Sequence, residues 1–155
     1  FKYISPQVYD RWSILIHFTR RNTYVNAPKR LAPSLELHAR PGLYLAGQMA
    51  GVEGYVESAA LGGVAGRNAA WAILGQPHLD VPRETAHGAL MTHLRHAPPA
   101  HFQPMNVNFG LFPRLEENAP RPRKKRTKRE KNELLASRAL AAMEAYRARE
   151  GAQSR

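Results

Sequence analysis

Cysteine is absent from this 155-residue chain, which excludes a disulfide framework and thiolate metal sites. Long apolar runs are missing too. No stretch reaches the length needed to cross a bilayer, so no membrane partner is expected and the cytoplasm is the expected location. Acidic side chains are scarce, 12 against 23 basic ones, leaving a net charge of +11. No internal repeat appears. The 43% apolar content is still enough for a core, and the length suits one domain.

The stretch Gly42–Ala70 is the most informative. Leu43 to Ala46 are apolar without alternation and lie between Pro41-Gly42 and Gly47, the pattern of a strand covered on both faces of a parallel sheet. The turn that follows carries Gly47, Gly51 and Gly54, placed to bring backbone N–H groups and a helix start close to an electron-rich ligand. In the helix beyond, Ala59, Gly62, Gly63, Gly66, Ala69 and Ala70 fall on a side able to lie tight against a sheet or cofactor. Glycine inside a helix costs about 1 kcal/mol relative to alanine, so three of them imply a need for closeness. Further strands are expected around 12–18, 24–26 and 35–38. The fold class that follows is α/β.

AGQMAGVEGYVESAA, preceded by RRNTYVNAPKRLAPSLEL and followed by PRETAHGALMTHL and FQPMNVNFGLFP, closely resembles the folate- and FAD-dependent tRNA uracil-5-methyltransferase family, TrmFO. The similarity runs from about Arg20 to Met143. The related GidA-type flavoproteins share the AGQ and GY elements but not RNTYVNAP or QPMNVNFG. The resemblance implies a Rossmann-type FAD-binding domain of which this chain is a C-terminal part, followed by helices and a basic tail. It implies FAD reduced by NADH or NADPH, methylenetetrahydrofolate as one-carbon donor, and C5 of a T-loop uridine in tRNA as acceptor.

By the same resemblance, Gly47, Gln48, Gly51, Glu53, Gly54 and Tyr55 lie at the flavin. Asn22, Thr23, Tyr24, Asn106 and Asn108 serve folate. Plainer roles compete for these residues: Gln48 as a turn cap, Glu53 as a first-turn acid, the tyrosines as half-buried aromatics, and the asparagines as loop formers. The family's G-x-G-x-x-G fingerprint and catalytic cysteines are missing here, and residues 1–19 match poorly. The expectation is therefore an N-terminal part of the same enzyme as partner, with no methyltransferase activity in this chain alone. The implied divisions are 1–113 for the FAD-binding part, 114–131 for a basic linker and 132–155 for an amphipathic helix.

Between Arg114 and Lys131 nine basic residues oppose three acidic ones. Within that run Arg121, Arg123, Lys124, Lys125, Arg126, Lys128 and Arg129 are the candidate phosphate contacts to tRNA, with the salt dependence that counterion release imposes. A solvated linker is the competing reading. Helices are expected from about 82–84 to His96, with Ala86, Ala89, Leu90 and Leu94 inward, and from about Lys128 to Arg149, with Leu135, Ala139, Ala142 and Tyr146 on one face. Arg138, Glu144 and Arg147 are expected to point outward from the second. His87 and His93 are six apart, off a common helix face, and no metal is expected. FQPMNVNFGLFP is expected as a packed irregular loop closing over the site. Two other functions stay open: a GidA-like wobble-uridine flavoprotein and a non-catalytic tRNA-binding fragment.

Overall fold

The structure is a computed structural model that describes residues 23–78, 80–115 and 126–153. Its helices are α1 (Ala27–Arg30), α2 (Tyr55–Ile73), α3 (Ala86–His96) and α4 (Lys128–Gln153), with short 3-10 turns at Gly47–Ala50 and Pro99–His101. Two compact units share the chain: Phe1–His78 with Leu94–Asn106, and Leu79–His93 with Val107–Arg155. This partition cuts across the expected 1–113 segment. Among the described residues no helix is long and apolar enough to cross a membrane.

The first unit is organised on α2. Leu61, Val64, Ala65, Asn68 and Trp71 recur at helical spacing and are buried, which gives the helix one inward stripe. Asn68 is polar at the centre of that stripe because its Nδ2 donates to Ser34 O at 3.0 Å, tying the helix to the loop before it. Arg67 lies over the Trp71 ring, 4.9 Å from its centroid. Three expected strands fall in this unit, and none of them forms. Among the described residues only isolated bridges occur, Leu31 with Leu37 and Glu36 with Tyr44 antiparallel, and Val52 with Met105 parallel.

The local geometry explains the correction. Leu35 takes a positive φ of 70°, which breaks an extended run at its first residue. The chain then turns back through residues 38–42, where Gly42 N donates to Glu36 Oε1 at 2.6 Å. Leu37 N meets Leu43 O at 2.8 Å, and Leu45 N meets Leu35 O at 2.9 Å. The 43–46 segment is thus paired along one edge only, and Leu43 is 38% exposed rather than covered on both faces. Tyr44, beside Glu36 in this turn, has its phenol raised above the ordinary value by burial first and by the Glu36 carboxylate second. Residues 24–26 take no regular secondary structure. The expected strand at 12–18 lies outside the described residues.

In the second unit, Thr85 sets the start of α3. Its hydroxyl accepts from Gly88 N at 3.0 Å and donates to Pro82 O at 2.7 Å, satisfying a first-turn N–H. Pro82–Glu84 therefore form the preceding turn and not the helix itself. Ala89 and Leu90 are buried as expected.

α4 opens with a capping box. Glu130 N donates to Thr127 Oγ1 at 3.2 Å, and Thr127 N donates to Glu130 Oε2 at 2.7 Å, so two otherwise unpaired N–H groups serve each other's side chains. Residues 128–131 are consequently helical, and the expected linker 114–131 ends earlier. Leu135 and Tyr146 are buried, with Ala139 and Ala142 half-buried between them. Arg138 departs from the outward position expected of it: its guanidinium donates to the carbonyls of Pro113 and Arg114.

The capping box predicts a pH response. The Thr127 backbone N–H, then the Thr127 hydroxyl, hold the Glu130 carboxyl below its usual value, with Arg126 adding to this and desolvation opposing it. A depressed carboxylate contributes above its unfolded value and loses that contribution as pH falls through its folded value. Acidification through the carboxylate range should therefore lower the protection of the Thr127 amide, measured as its exchange rate relative to the intrinsic rate at each pH. In Glu130→Gln that ratio should not change across the same range.

Candidate functional site

Three of the motifs separated in sequence meet in the first unit. Val25 N donates to Met49 O at 2.9 Å, which docks the 23–26 segment on the Gly47–Ala50 turn. Glu53 N donates to Met105 O at 3.1 Å and Met105 N to Gly51 O at 3.2 Å, which lays the 102–106 segment alongside 51–53. Asn26 Nδ2 reaches Pro99 O at 2.8 Å. The turn rich in glycine is thus held from both sides.

The glycines of that turn also make room for the chain's own side chains. A Cβ on Gly51 would stand 2.5 Å from Phe102 Cζ and 2.8 Å from Cε1. A Cβ on Gly47 would meet Ser58 Cβ at 3.1 Å, and one on Gly54 would meet Glu57 Cδ at 2.7 Å and Asn106 Nδ2 at 2.9 Å. The closeness is therefore filled, at these three positions, by the chain's own side chains. The glycine side of α2, by contrast, meets nothing among the described residues. Gly62, Gly63 and Gly66 are exposed, with nothing within 4 Å of the place a Cβ would take, because the opposite stripe is the one that is buried.

What stays open lies at the start of α2. Gly54 is its N-cap residue and makes no side-chain cap, and the Glu57 carboxyl and the Asn106 amide stand close beside it at the positive end of the helix dipole. Gln48 and Gly54 are exposed beside it, Met49 is 38% exposed and Tyr55 is 97% exposed. Glu53 is half-buried, as is Glu57 in the first turn. A primary amide that both donates and accepts and an exposed aromatic ring are thus presented by the turn and the first residue of α2.

The residues assigned to folate are not all brought to that edge. Tyr24 is 5% exposed and meets Phe102 edge-on, ring centroids 6.0 Å apart, so its ring is a core element. Thr23 is half-buried, and Asn106 is exposed next to Gly54 and Glu57. In the second unit, Asn108 Oδ1 accepts from Gly110 N at 2.9 Å, forming a local turn. Asn22 lies outside the described residues, as do Arg121, Arg123, Lys124 and Lys125. Of the other assigned cations, Lys128 and Arg129 are exposed and Arg126 is half-buried. Arg129 Nε pairs with Glu133 Oε1 at 2.8 Å across one turn of α4. Among the described residues no three His, Asp or Glu side chains are grouped to hold a metal ion.

Residues 17–77 match the family model described as GIDA, glucose inhibited division protein A. Over 132 residues the chain is 54% identical to the methylenetetrahydrofolate–tRNA-(uracil-5-)-methyltransferase TrmFO of Desulforudis audaxviator, covering 84% of this chain and 29% of that protein. The chain belongs to the TrmFO family. The TrmFO of Natranaerobius thermophilus is 53% identical over 111 residues, 72% of this chain and 26% of that protein. That of Symbiobacterium thermophilum is 46% identical over 138 residues, 89% and 29% respectively. The chain thus spans under a third of the length of these TrmFO relatives.

Sequence reasoning missed Phe102, Ser58 and Asn68 as the residues that hold this TrmFO segment together. Phe102 was legible only as an apolar anchor of its loop. That its ring ends over Gly51, 51 residues away in sequence, is decided by the pairing of Met105 with Val52.

Proposed function

We propose that this chain supplies the flavin-ring edge of a flavin-dependent enzyme that methylates C5 of a T-loop uridine in tRNA. NADH or NADPH would be the reductant and methylenetetrahydrofolate the carbon donor. The observation that supports the reading is the meeting of three family motifs around the Gly47–Glu53 turn that leads into α2, with Gln48 and Tyr55 exposed. When bound, FAD supplies the redox chemistry and the protein supplies placement and electrostatics. Gln48 would donate to and accept from the polar edge of the ring, Tyr55 would lie against its face, and the N–H groups of the first turn of α2 would favour negative charge there.

Gly47, Gly51, Glu53 and Gly54 act through backbone and turn shape in this reading. In the same reading Thr23 and Asn106, both in the first unit, would approach a second ligand, folate. The basic residues Arg121 to Arg129 would contact tRNA phosphates, which accords with a cytoplasmic location. A thiolate step at the uracil has to come from outside this chain, which contains no cysteine; alone it should not methylate tRNA.

The test replaces the matching segment of Desulforudis audaxviator TrmFO with this sequence and follows flavin absorbance and tRNA binding separately. Gln48→Ala should weaken flavin retention roughly 3- to 10-fold, the worth of one or two hydrogen bonds, and leave tRNA binding intact. Affinity for tRNA should fall with salt at a log–log slope of about −0.7 to −0.9 per phosphate contact. Full flavin retention in both Gln48→Ala and Tyr55→Ala would overturn the flavin edge, and salt-independent binding would overturn the tRNA contact.

A further inference from the structure

In the second unit, residues 108–111 form a turn that closes on its own hydrogen bonds. Leu111 N donates to Asn108 O at 3.1 Å and Gly110 N to Asn108 Oδ1 at 2.9 Å, which places Phe109 and Gly110 at the two central positions. A turn of this kind tolerates most residues at the first of these, and an aromatic ring adds nothing to its bonding. Phe109 nonetheless stands at that tip, 43% exposed. Its ring leans on that of Phe112, with centroids 5.5 Å apart and planes at 38°, and Phe112 is itself half-buried. The chain leaving the turn is then held on α4, where the Arg138 guanidinium takes the carbonyls of Pro113 and Arg114. An apolar ring is thus presented to solvent on a support fixed at both ends.

We propose that Phe109 is a stacking platform for an unpaired base of the RNA, a role that rests on the tRNA contact proposed above. Charge selects this occupant first. No charged residue occurs in 102–113, so nothing there repels a phosphate. The first charged residue beyond it is Arg114, exposed, and Lys128, Arg129 and Lys131 are exposed in the same unit at the start of α4. A partner that offers flat rings along a chain of negative charges matches a ring placed ahead of cations, the pairing by which single strands are held. A protein partner fits less well, because apolar docking asks for a contiguous patch and the exposed ring is flanked by exposed Asn108 and Gly110. Folate would also offer a flat ring, but Thr23 and Asn106, the residues proposed for it, belong to the other unit. A ring fixed before binding loses little freedom on stacking, which favours affinity.

Stacking and phosphate contact leave different marks on a salt titration. Binding of unmodified tRNA is measured against salt for the 155-residue chain and for the Desulforudis audaxviator TrmFO carrying this segment. Phe109→Ala should weaken binding roughly 5- to 150-fold, the worth of one stacked base, by the same factor at every salt concentration, so that the log–log slope stays as it was. Lys128→Ala should instead make the slope shallower by about 0.7 to 0.9. Phe109→Trp should keep the affinity, since it restores a π-face, whereas Phe109→Leu should stay as weak as Phe109→Ala. Helix content should be unchanged in all four variants, because the turn bonds and the Arg138 contacts do not use the Phe109 side chain.

Unchanged affinity in Phe109→Ala with a steep salt slope would overturn the platform and leave the phosphate contact standing. Full affinity in Phe109→Leu would assign the ring to a plain apolar contact, and intact tRNA binding with weakened folate use in the longer enzyme would assign it to the carbon donor; either result also overturns the proposal. Binding that ignores salt yet falls in Phe109→Ala and returns in Phe109→Trp would support stacking and overturn the phosphate contact alone.

Discussion

Gly51→Ala should destabilise the first unit by about 3 kcal/mol. Two terms add. Gly51 has φ of +88°, where a side chain costs on the order of 1–2 kcal/mol. Its Cβ would also stand 2.5 Å from Phe102 Cζ, and such overpacking typically costs a further 1–3 kcal/mol. The ring cannot simply step aside, because Phe102 is 5% exposed and braced edge-on by Tyr24. Against a total stability of roughly 5–15 kcal/mol, the loss should be plain in urea unfolding. Phe102→Leu separates the terms. In a double-mutant cycle it should recover the packing part, a coupling of about 1–2 kcal/mol, and leave the backbone part. A loss in Gly51→Ala below about 1 kcal/mol would show that the turn is looser than this geometry implies.

The second large effect is a reversal of sign within two helices of one chain. An exposed helical glycine changed to alanine ordinarily gains up to about 1 kcal/mol, and Gly62→Ala should do so, since nothing lies within 4 Å of its Cβ position. Gly88→Ala should instead lose about 2 kcal/mol or more. Its Cβ would stand 2.5 Å from the Pro82 carbonyl carbon and 2.8 Å from Val81 O. Those are backbone atoms, fixed by the Thr85 hydroxyl and by Thr85 N donating to Pro82 O at 3.0 Å. The backbone of Gly88 itself is not in the left-handed region, so strain is not the source. Thermal melts of the two variants, followed by amide exchange at Ala89, check the prediction. A stabilised Gly88→Ala would mean that the 81–85 turn yields at little cost.

Much of the helical layout is readable from the residues alone. The stripes of α3 and α4 follow from 3.6-residue periodicity, which needs no distant partner to appear in a sequence. The ends are less readable. α3 begins after the turn that its proline and acid mark, because Thr85 caps it, whereas α4 begins at Lys128 as its pattern indicates, where Thr127 and Glu130 close a capping box. Strands fare differently. A strand is completed by a neighbour, and the apolar run at 43–46 meets only the edge of its own preceding turn among the described residues.

The candidate site divides the same way. The residue types at 47–55 mark a place of close backbone approach, and the structure has close approach there, but by Ser58, Phe102 and Glu57. Tyr24 carries the same signal as Tyr55, yet one ring is buried against Phe102 and the other stands almost wholly in solvent. No local pattern distinguishes them, since the difference depends on which segment pairs with 51–53.

By itself the sequence determined family membership, the helical periodicities, the positions of the glycines and the basic character of the run ahead of α4, all of which are properties of neighbouring residues. Only the tertiary structure decided what each glycine makes room for, which of two tyrosines stays free, and that α2 turns its glycines outward. Those outcomes hang on contacts across many residues, where burial of one apolar stripe leaves the opposite one uncovered.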